Sequence, residues 1–368
     1  MADDRLLVVN AGSSSIKTAL FDGALREILR IEATGIGASG SVKAAGKSRA
    51  MPLPDHTTAL AAILDRLEEH GTKLADLTAA AHRIVHGGPH LTHAQRITPD
   101  VRDAIAACIP LAPLHNPHHI AAIDAITAMT PNLPQCASFD TAFHATNPQV
   151  ARRYALPPSA PAELRRYGFH GTSYAALVRA LPAQSGTLPR RLLALHLGNG
   201  ASLCAIKDGS SVATTMGYSP LGGLTMGTRA GAIDPGAVLA LVRTLGVDQA
   251  EHMLTHESGL LGLSGQSADM RDLLDSPTPE ATFAIAHFCY WAARQAGSMI
   301  AAMGGIDAIA FTGGIGENAA LLRDEITAPL SWTGRVPVYT VPATEELHIA
   351  REALALLGAL PLKAANDP

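Results

Sequence analysis

One short pattern occurs twice in this chain, and the repeat restricts its fold more than any other feature. Val8-Val9-Asn10-Ala11-Gly12-Ser13-Ser14-Ser15-Ile16-Lys17 aligns without a gap on Ala194-Leu195-His196-Leu197-Gly198-Asn199-Gly200-Ala201-Ser202-Leu203. Each copy reads as a β-rich run, a glycine among small polar residues, and a second β-rich run. The second runs close at Phe21-Asp22-Gly23 and Lys207-Asp208-Gly209, where Asp-Gly signals a hairpin turn. Alone, either copy is an ordinary tight hairpin, because glycine and serine are common turn formers. One copy in each half predicts a duplicated fold. Small residues let main-chain N–H groups approach an anion, and the Ser13, Ser14 and Ser15 hydroxyls add donors without bulk. The two turns are therefore expected to grip a polyphosphate between the halves.

Neither copy is a P-loop, since no Gly-Lys-Ser/Thr follows a four-residue gap, and a strand rather than a helix follows each turn, unlike the dinucleotide fingerprint. An actin-like nucleotide fold of the α/β class fits what remains. At 368 residues the chain exceeds what one hydrophobic core usually serves, so two domains are expected. No apolar run approaches the ~20 residues that span a bilayer. Met1-Ala2-Asp3-Asp4-Arg5 leads into a strand rather than a signal peptide, which predicts a cytoplasmic protein. A net charge of −4 without a basic block argues against nucleic acid or an anionic membrane as partner. Any substrate anion must then be met by local cations.

Cys108, Cys136, Cys204 and Cys289 are widely separated and form no Cys-x-x-Cys pair, so buried thiols in a reducing compartment are expected. His86, His90 and His93, like His115, His118 and His119, are grouped as metal ligands can be. Gly87-Gly88-Pro89 and Asn116-Pro117 break the helices that would align them, which favours loop and hydrogen-bonding roles.

Along the first half, the pattern predicts a helix from about Thr57 to His70, a strand from Ala79 to Val85, helices from Pro99 to Cys108 and Pro117 to Met129, and a strand from Gln135 to Phe139. The proline-rich run 156–161 reads as a surface connection. Residues 216–229 are too glycine-rich for regular structure and too apolar for a linker, and read as an active-site loop. An apolar helix from Glu280 to Met303, interrupted by His287, Arg294 and Gln295, reads as a buried domain helix. A strand over 307–312, a glycine turn and an Ala- and Leu-rich helix follow, an arrangement that lays backbone against a nucleotide.

A family resemblance rests on several stretches taken in order. They are Asn10 to Lys17, His82-Arg83-Ile84-Val85-His86-Gly87-Gly88, Ala112-Pro113-Leu114-His115-Asn116-Pro117, Phe139-Asp140-Thr141-Ala142-Phe143-His144, Arg166 to Ser173, His196 to Ser202, Met226-Gly227-Thr228-Arg229 and Gly314-Ile315-Gly316-Glu317-Asn318. Together they span nearly the whole chain, and it resembles the acetate kinase family. The resemblance implies an actin-like duplicated fold (that of acetate and sugar kinases, Hsc70 and actin), a homodimer, and Mg-ATP-dependent phosphorylation of a short carboxylate to an acyl phosphate. It divides the chain into a first domain of residues 1–145 completed by 346–368, and a second of 146–345. Butyrate or branched-chain acids as substrates, a pyrophosphate-dependent relative, and a non-catalytic binding protein of the same fold are the alternatives.

A carboxylate attacking a γ-phosphate is an anion approaching an anion, so catalysis must come mainly from charge neutralisation and in-line positioning. Arg83 and Arg229 adjoin glycine-rich turns, and guanidinium offers a planar fork to carboxylate and phosphoryl oxygens. The resemblance implies that Arg83 orients the carboxylate and Arg229 the phosphoryl group. His170 suits donation to the transferred group, not base catalysis, because the nucleophile is already ionised. Asp140 orients Arg83 or a metal-bound water, or else caps the turn before Thr141. Asn10 and Glu345 match the family's pair for Mg²⁺, with Mn²⁺ as a substitute, although Glu345 also suits a helix entry. By the same resemblance Asn199 and Gly200 hold the outer phosphates, and Asp269, Met270 and Arg271 with Gly314, Ile315 and Asn318 frame ribose and adenine. Lys17 and Gly316 complete that nucleotide set.

Val85, Leu114, Phe169 and Pro220 would form the cup for the acyl group. A buried CH₂ is worth only ~1 kcal/mol, so acetate and propionate are weakly separated. The chain departs from the family pattern at Gly222, Thr225, Ala230 and Ala232, and at Tyr174, where histidine is usual. Trp332-Thr333-Gly334-Arg335 also runs almost directly into a strand, Val336 to Val341, where relatives carry a longer excursion.

Overall fold

The first copy of the repeat forms β1 (Arg5–Ala11) and β2 (Ser15–Asp22), paired antiparallel with Asn10 opposite Lys17. The structure, a computed structural model, describes residues 4–358. They divide into two units, one holding the residues up to Phe143 together with those from Thr344 onward, the other His144–Ala343. The part of the expected first domain beyond residue 358, and Met1 to Asp3, lie outside the described residues.

In the first unit β3 (Glu27–Thr34), β4 (Ala38–Ala44) and β5 (Lys47–Leu53) continue the antiparallel meander, while β6 (Ala79–Ile84) and β8 (Gln135–Phe139) add in parallel beyond β1 and β7 (Gln95–Arg96) closes the edge. The sheet order is β5-β4-β3-β2-β1-β6-β8-β7. β1 is apolar at successive positions because both its faces are covered. Leu7 and Val9 join a core with Leu60, Ile63 and Leu67 of the helix His56–Glu69, and Leu6 and Val8 join another with Ile349, Ala353 and Leu354 of the helix Glu345–Leu356.

The second unit repeats the plan. β9 (Arg191–Leu197), β10 (Ala201–Lys207) and β11 (Ser210–Thr214) form an antiparallel meander, and β12 (Ala308–Thr312) and β13 (Val338–Thr340) add in parallel beyond β9. The order β11-β10-β9-β12-β13 reproduces β3-β2-β1-β6-β8 of the first unit. The sequence repeat is thus a fold repeat, as an actin-like duplication requires. The long helix Pro279–Met303 packs on β10, opened by the Thr278 hydroxyl accepting from Ala281 N–H and ended by Gly304 at φ 74°. Among the described residues no helix is long and apolar enough to cross a membrane.

Some expectations hold and others are corrected. Asp208-Gly209 makes the expected two-residue turn, with φ of 50° and 78°. Asp22-Gly23 does not: Asp22 Oδ1 instead accepts from the N–H groups of Ala24 and Arg26, closing a longer loop. β3, β4 and β5 carry many exposed polar residues, so their apolar periodicity is faint. The last strand is shorter than Val336 to Val341, and Glu345 is the first residue of its helix rather than a residue ahead of it. The four cysteines are free and buried.

Candidate active site

β1, β6 and β8 run parallel to one another, and their carboxyl ends carry Asn10, Arg83 and Asp140. Strand ends of this kind are where open α/β sheets bind ligands. The β6–β8 register puts Ile84 opposite Phe139, and Asp140 N–H donates to Ile84 O at 2.9 Å, which fixes the aspartate beside Arg83. Arg83 Nη2 donates to Asp140 Oδ2 at 2.6 Å, and Nε lies 3.1 and 3.2 Å from the two carboxylate oxygens. Arg83 Nη1 lies 3.4 Å from Asn10 Oδ1, and Glu345 Oε2 is 3.9 Å from Arg83 Nε. Burial works against the Arg83 charge, but Asp140 and Glu345 outweigh it and hold the guanidinium protonated at any working pH. Asn10, Asp140 and Glu345 present only hard oxygen donors, the chemistry Mg²⁺ prefers. Among the described residues no three His, Cys, Asp or Glu side chains form a metal-ligand group.

The loop after β6 is pinned from several sides. Val85 N–H donates to His119 Nε2 at 3.3 Å, His86 exchanges main-chain bonds with the Asn116 amide, and Gly87 N–H donates to Thr141 Oγ1 at 3.1 Å. Burial holds His119 well below its ordinary pKa, so it serves as a neutral acceptor. His86 Nδ1 accepts from Gly88 N–H at 2.9 Å. The hydrogen-bonding role expected of the grouped histidines is observed for His86 and His119, but His118 and His119 lie in the helix Asn116–Met129, which Asn116-Pro117 opens rather than breaks. Val85 is buried, whereas Leu114 is 41% exposed.

The turns of the repeat use their glycines differently from the expectation. Gly12 N–H donates to Ser15 O at 2.7 Å and Gly198 N–H to Gly200 O at 3.0 Å, so both N–H groups close their own turns. His56 Nε2 donates to Gly12 O at 2.7 Å. Lys17 is exposed on β2.

In the second unit the turn between β9 and β10 meets two other segments. His170 precedes the helix Gly171–Ala180 with φ 59°, and its Nδ1 lies 2.8 Å from Ser202 Oγ while its ring stacks on His196 at 4.2 Å. A Cβ on Gly200 would lie 2.9 Å from Arg229 Nη2 and 3.2 Å from His170 Nε2, so both nitrogens converge on that glycine. Arg229 Nη1 donates to Pro220 O at 2.7 Å. Gly227 N–H donates to Asn199 O at 3.0 Å, and a Cβ on Gly227 would come within 1.9 Å of Asn199 Oδ1, which only glycine avoids. Residues 216–229 form the irregular loop that the glycine content predicts. Phe169 is fully buried and its carbonyl accepts from His144 Nε2 at 2.9 Å.

The nucleotide candidates fall into two local groups. Asp269 caps the helix Met270–Asp275 by accepting from Arg271 N–H at 2.9 Å, and it pairs with the Arg271 guanidinium at 2.5 Å. That pairing pulls the Asp269 carboxyl down to about 2. Met270 is buried. Gly314, Ile315, Gly316 and Asn318 lie within a short helix, Gly313–Asn318, that starts directly after β12, so the expected separate glycine turn is the helix itself. Asn318 Nδ2 donates to Gly314 O at 2.8 Å, and Glu317 Oε1 accepts from the N–H groups of Gly313 and Ala343 at 3.0 and 2.9 Å. No role for Glu317 or Ser202 is legible before these contacts are seen, because Ala343 and His170 are remote from them in sequence.

The model of the acetokinase family matches residues 5–351. The chain is 40% identical to acetate kinase of Nitrobacter hamburgensis, with 96% of each chain covered, and 41% identical to acetate kinase of Pseudomonas aeruginosa, covering 97% of this chain and all of that one. Among solved structures it resembles a propionate kinase from Francisella tularensis, with a TM-score of 0.90 at 34% identity over 95% of this chain and 98% of the other. It also resembles Porphyromonas gingivalis acetate kinase, with a TM-score of 0.88 at 33% identity over 96% of this chain and 100% of the other. With its strand-end residues in place and its length matched almost throughout, the chain belongs to the acetokinase family.

Proposed function

We propose that the chain transfers the γ-phosphoryl group of ATP to acetate, forming acetyl phosphate and ADP reversibly. The observation that carries this reading is Arg83, a guanidinium fixed by Asp140 at the carboxyl ends of parallel strands, a placement suited to a small carboxylate. A carboxylate oxygen attacks the γ-phosphorus, the bond from that phosphorus to the β,γ-bridging oxygen breaks, and its electron pair leaves with ADP. No proton moves, so no general base is needed. Arg83 orients the carboxylate, and Arg229 and His170 donate to the oxygens of the transferring group. Val85, Leu114, Phe169 and Pro220 receive the acyl chain. Asn199, Gly200 and Lys17 serve the phosphates, and Asp269, Met270, Arg271, Gly314, Ile315, Gly316 and Asn318 serve ribose and adenine.

Asn10 and Glu345 would hold Mg²⁺, with Asp140 beside them, and the ion supplies charge neutralisation at the β- and γ-phosphates when bound. The two units correspond to the two domains of the duplicated fold. Cytoplasmic location is supported by the four free thiols.

A homodimer is supported by the helix Pro235–Leu245. It is rich in Ala, Val and Leu yet has no buried residue, and Leu239 is 53% exposed. An apolar helix that packs on the next helix, Val247–His256, without fully burying any side chain suits a second copy. Light scattering should give twice the chain mass, and Leu239→Asp should give the monomer. A wild-type monomer at micromolar concentration would remove the dimer.

The reaction is tested by incubating ATP and Mg²⁺ with acetate, propionate or butyrate and trapping acyl phosphate as hydroxamate. Acetate should give product, with propionate close behind. No hydroxamate from any acid would overturn the reading.

A further inference from the structure

We propose that Tyr174 and Ser202 are positioning residues that set the tautomer and the aim of the His170 ring. This rests on the phosphoryl-transfer reading above, since it gives His170 a donor role. His170 holds φ 59°, a conformation that costs a residue with a side chain and persists only where its surroundings impose it. The surroundings are specific. Ser202 Oγ lies 2.8 Å from His170 Nδ1 and 2.6 Å from the Tyr174 hydroxyl. Tyr174 is one helical turn after His170, its N–H donating to His170 O at 3.0 Å, and Ser202 lies on β10 directly opposite His196 on β9.

Proton donation in this chain runs from Tyr174 through Ser202 to His170. Ser202 and Tyr174 are wholly buried, and burial keeps the phenol neutral. The Tyr174 hydroxyl, 2.6 Å from Ser202 Oγ, gives its proton to that oxygen. The serine proton then goes to His170 Nδ1. A neutral imidazole that accepts at Nδ1 carries its proton on Nε2. Nε2 is the atom that lies beside Gly200 together with Arg229 Nη2. The relay therefore presents Nε2–H and the guanidinium to one region, while stacking on His196 fixes the ring plane. Donors placed in advance need no reorganisation as charge develops on a transferring group.

The test uses the full chain labelled with ¹⁵N-histidine, the His170 signals being assigned by their loss in His170→Gln. Without substrate, wild-type His170 should be neutral, protonated at Nε2 and accepting at Nδ1. In Ser202→Ala and Tyr174→Phe that bias should be lost, and kcat should fall about tenfold or more while KM for acetate and ATP changes less than about twofold. A wild-type ring protonated at Nδ1, or full kcat with an unchanged tautomer in either folded variant, would overturn the proposal. If Tyr174→Phe does not fold, Ser202→Ala decides by the same readouts. A wild-type protein that forms no acyl phosphate would remove the reaction, and the tautomer measurement would still decide the relay.

Discussion

Arg83 meets Asp140 edge to edge, with Nη2 2.6 Å from Oδ2 and Nε within 3.2 Å of both oxygens, and the aspartate is 1% exposed. The carboxylate takes one edge of the guanidinium and so sets the direction of the rest. Asp140→Asn should leave the fold intact but lower kcat/KM for acetate by about 10²-fold, and Arg83→Ala should lower turnover by about 10³-fold. Steady-state kinetics with circular dichroism check both, and near-normal turnover in a folded Arg83→Ala would remove Arg83 from the mechanism.

Gly200 and Gly227 make a contrasting pair. A Cβ at Gly200 meets only the ends of the Arg229 and His170 side chains, whereas one at Gly227 meets Asn199 Oδ1 at 1.9 Å and the main-chain oxygen of Ala268 at 3.2 Å. Gly200→Ala should therefore keep its melting temperature and lose about tenfold or more in kcat, as Arg229 and His170 are pushed aside. Gly227→Ala should lower the melting temperature as well. Unaltered kinetics for a folded Gly200→Ala would separate that turn from the chemistry.

Asn10→Ala and Glu345→Ala should raise the Mg²⁺ concentration needed for half-maximal rate far more than the acetate KM, because an ion held by few protein oxygens depends on each. Arg83→Ala should do the reverse. If Glu345→Ala lowers only the stability, the residue serves as a helix entry at the start of Glu345–Leu356.

Acid should weaken the first unit through His82. It is buried on β6 with Nε2 2.7 Å from Gln135 Oε1, and burial, partly offset by that bond, lowers its pKa from 6.5 to about 4. The unfolded chain binds this proton more readily. The contribution is therefore whole above about pH 6.5 and is lost as pH falls toward about 4, amounting to ~3 kcal/mol in the limit. His119 acts in the same direction. Urea midpoints should fall across this window in wild type and fall less in His82→Gln. Equal slopes would assign the acid sensitivity elsewhere.

The duplication, the irregular loop 216–229 and the helix read from Glu280 to Met303 are legible in the sequence because each depends on local pattern: a repeated turn, a glycine density, an apolar run. Arg83, Arg229 and His170 could also be singled out, since glycine-flanked charges and ring nitrogens suggest ligand contact before any contact is seen. Tertiary structure alone decided what those groups touch. Strand register brings Asp140 to Arg83 across 57 positions, the β9–β10 pairing and the start of the helix Gly171–Ala180 bring Ser202 to His170 across 32, and the turn of the second repeat brings Gly200 against Arg229. Pairing between remote strands is set by how both sheet faces are buried, which no local window contains. The same reason hid β3 to β5, whose exposed polar residues mask their period, and the first turn, where the Asp22 side chain closes a loop that Asp-Gly spacing predicts as shorter.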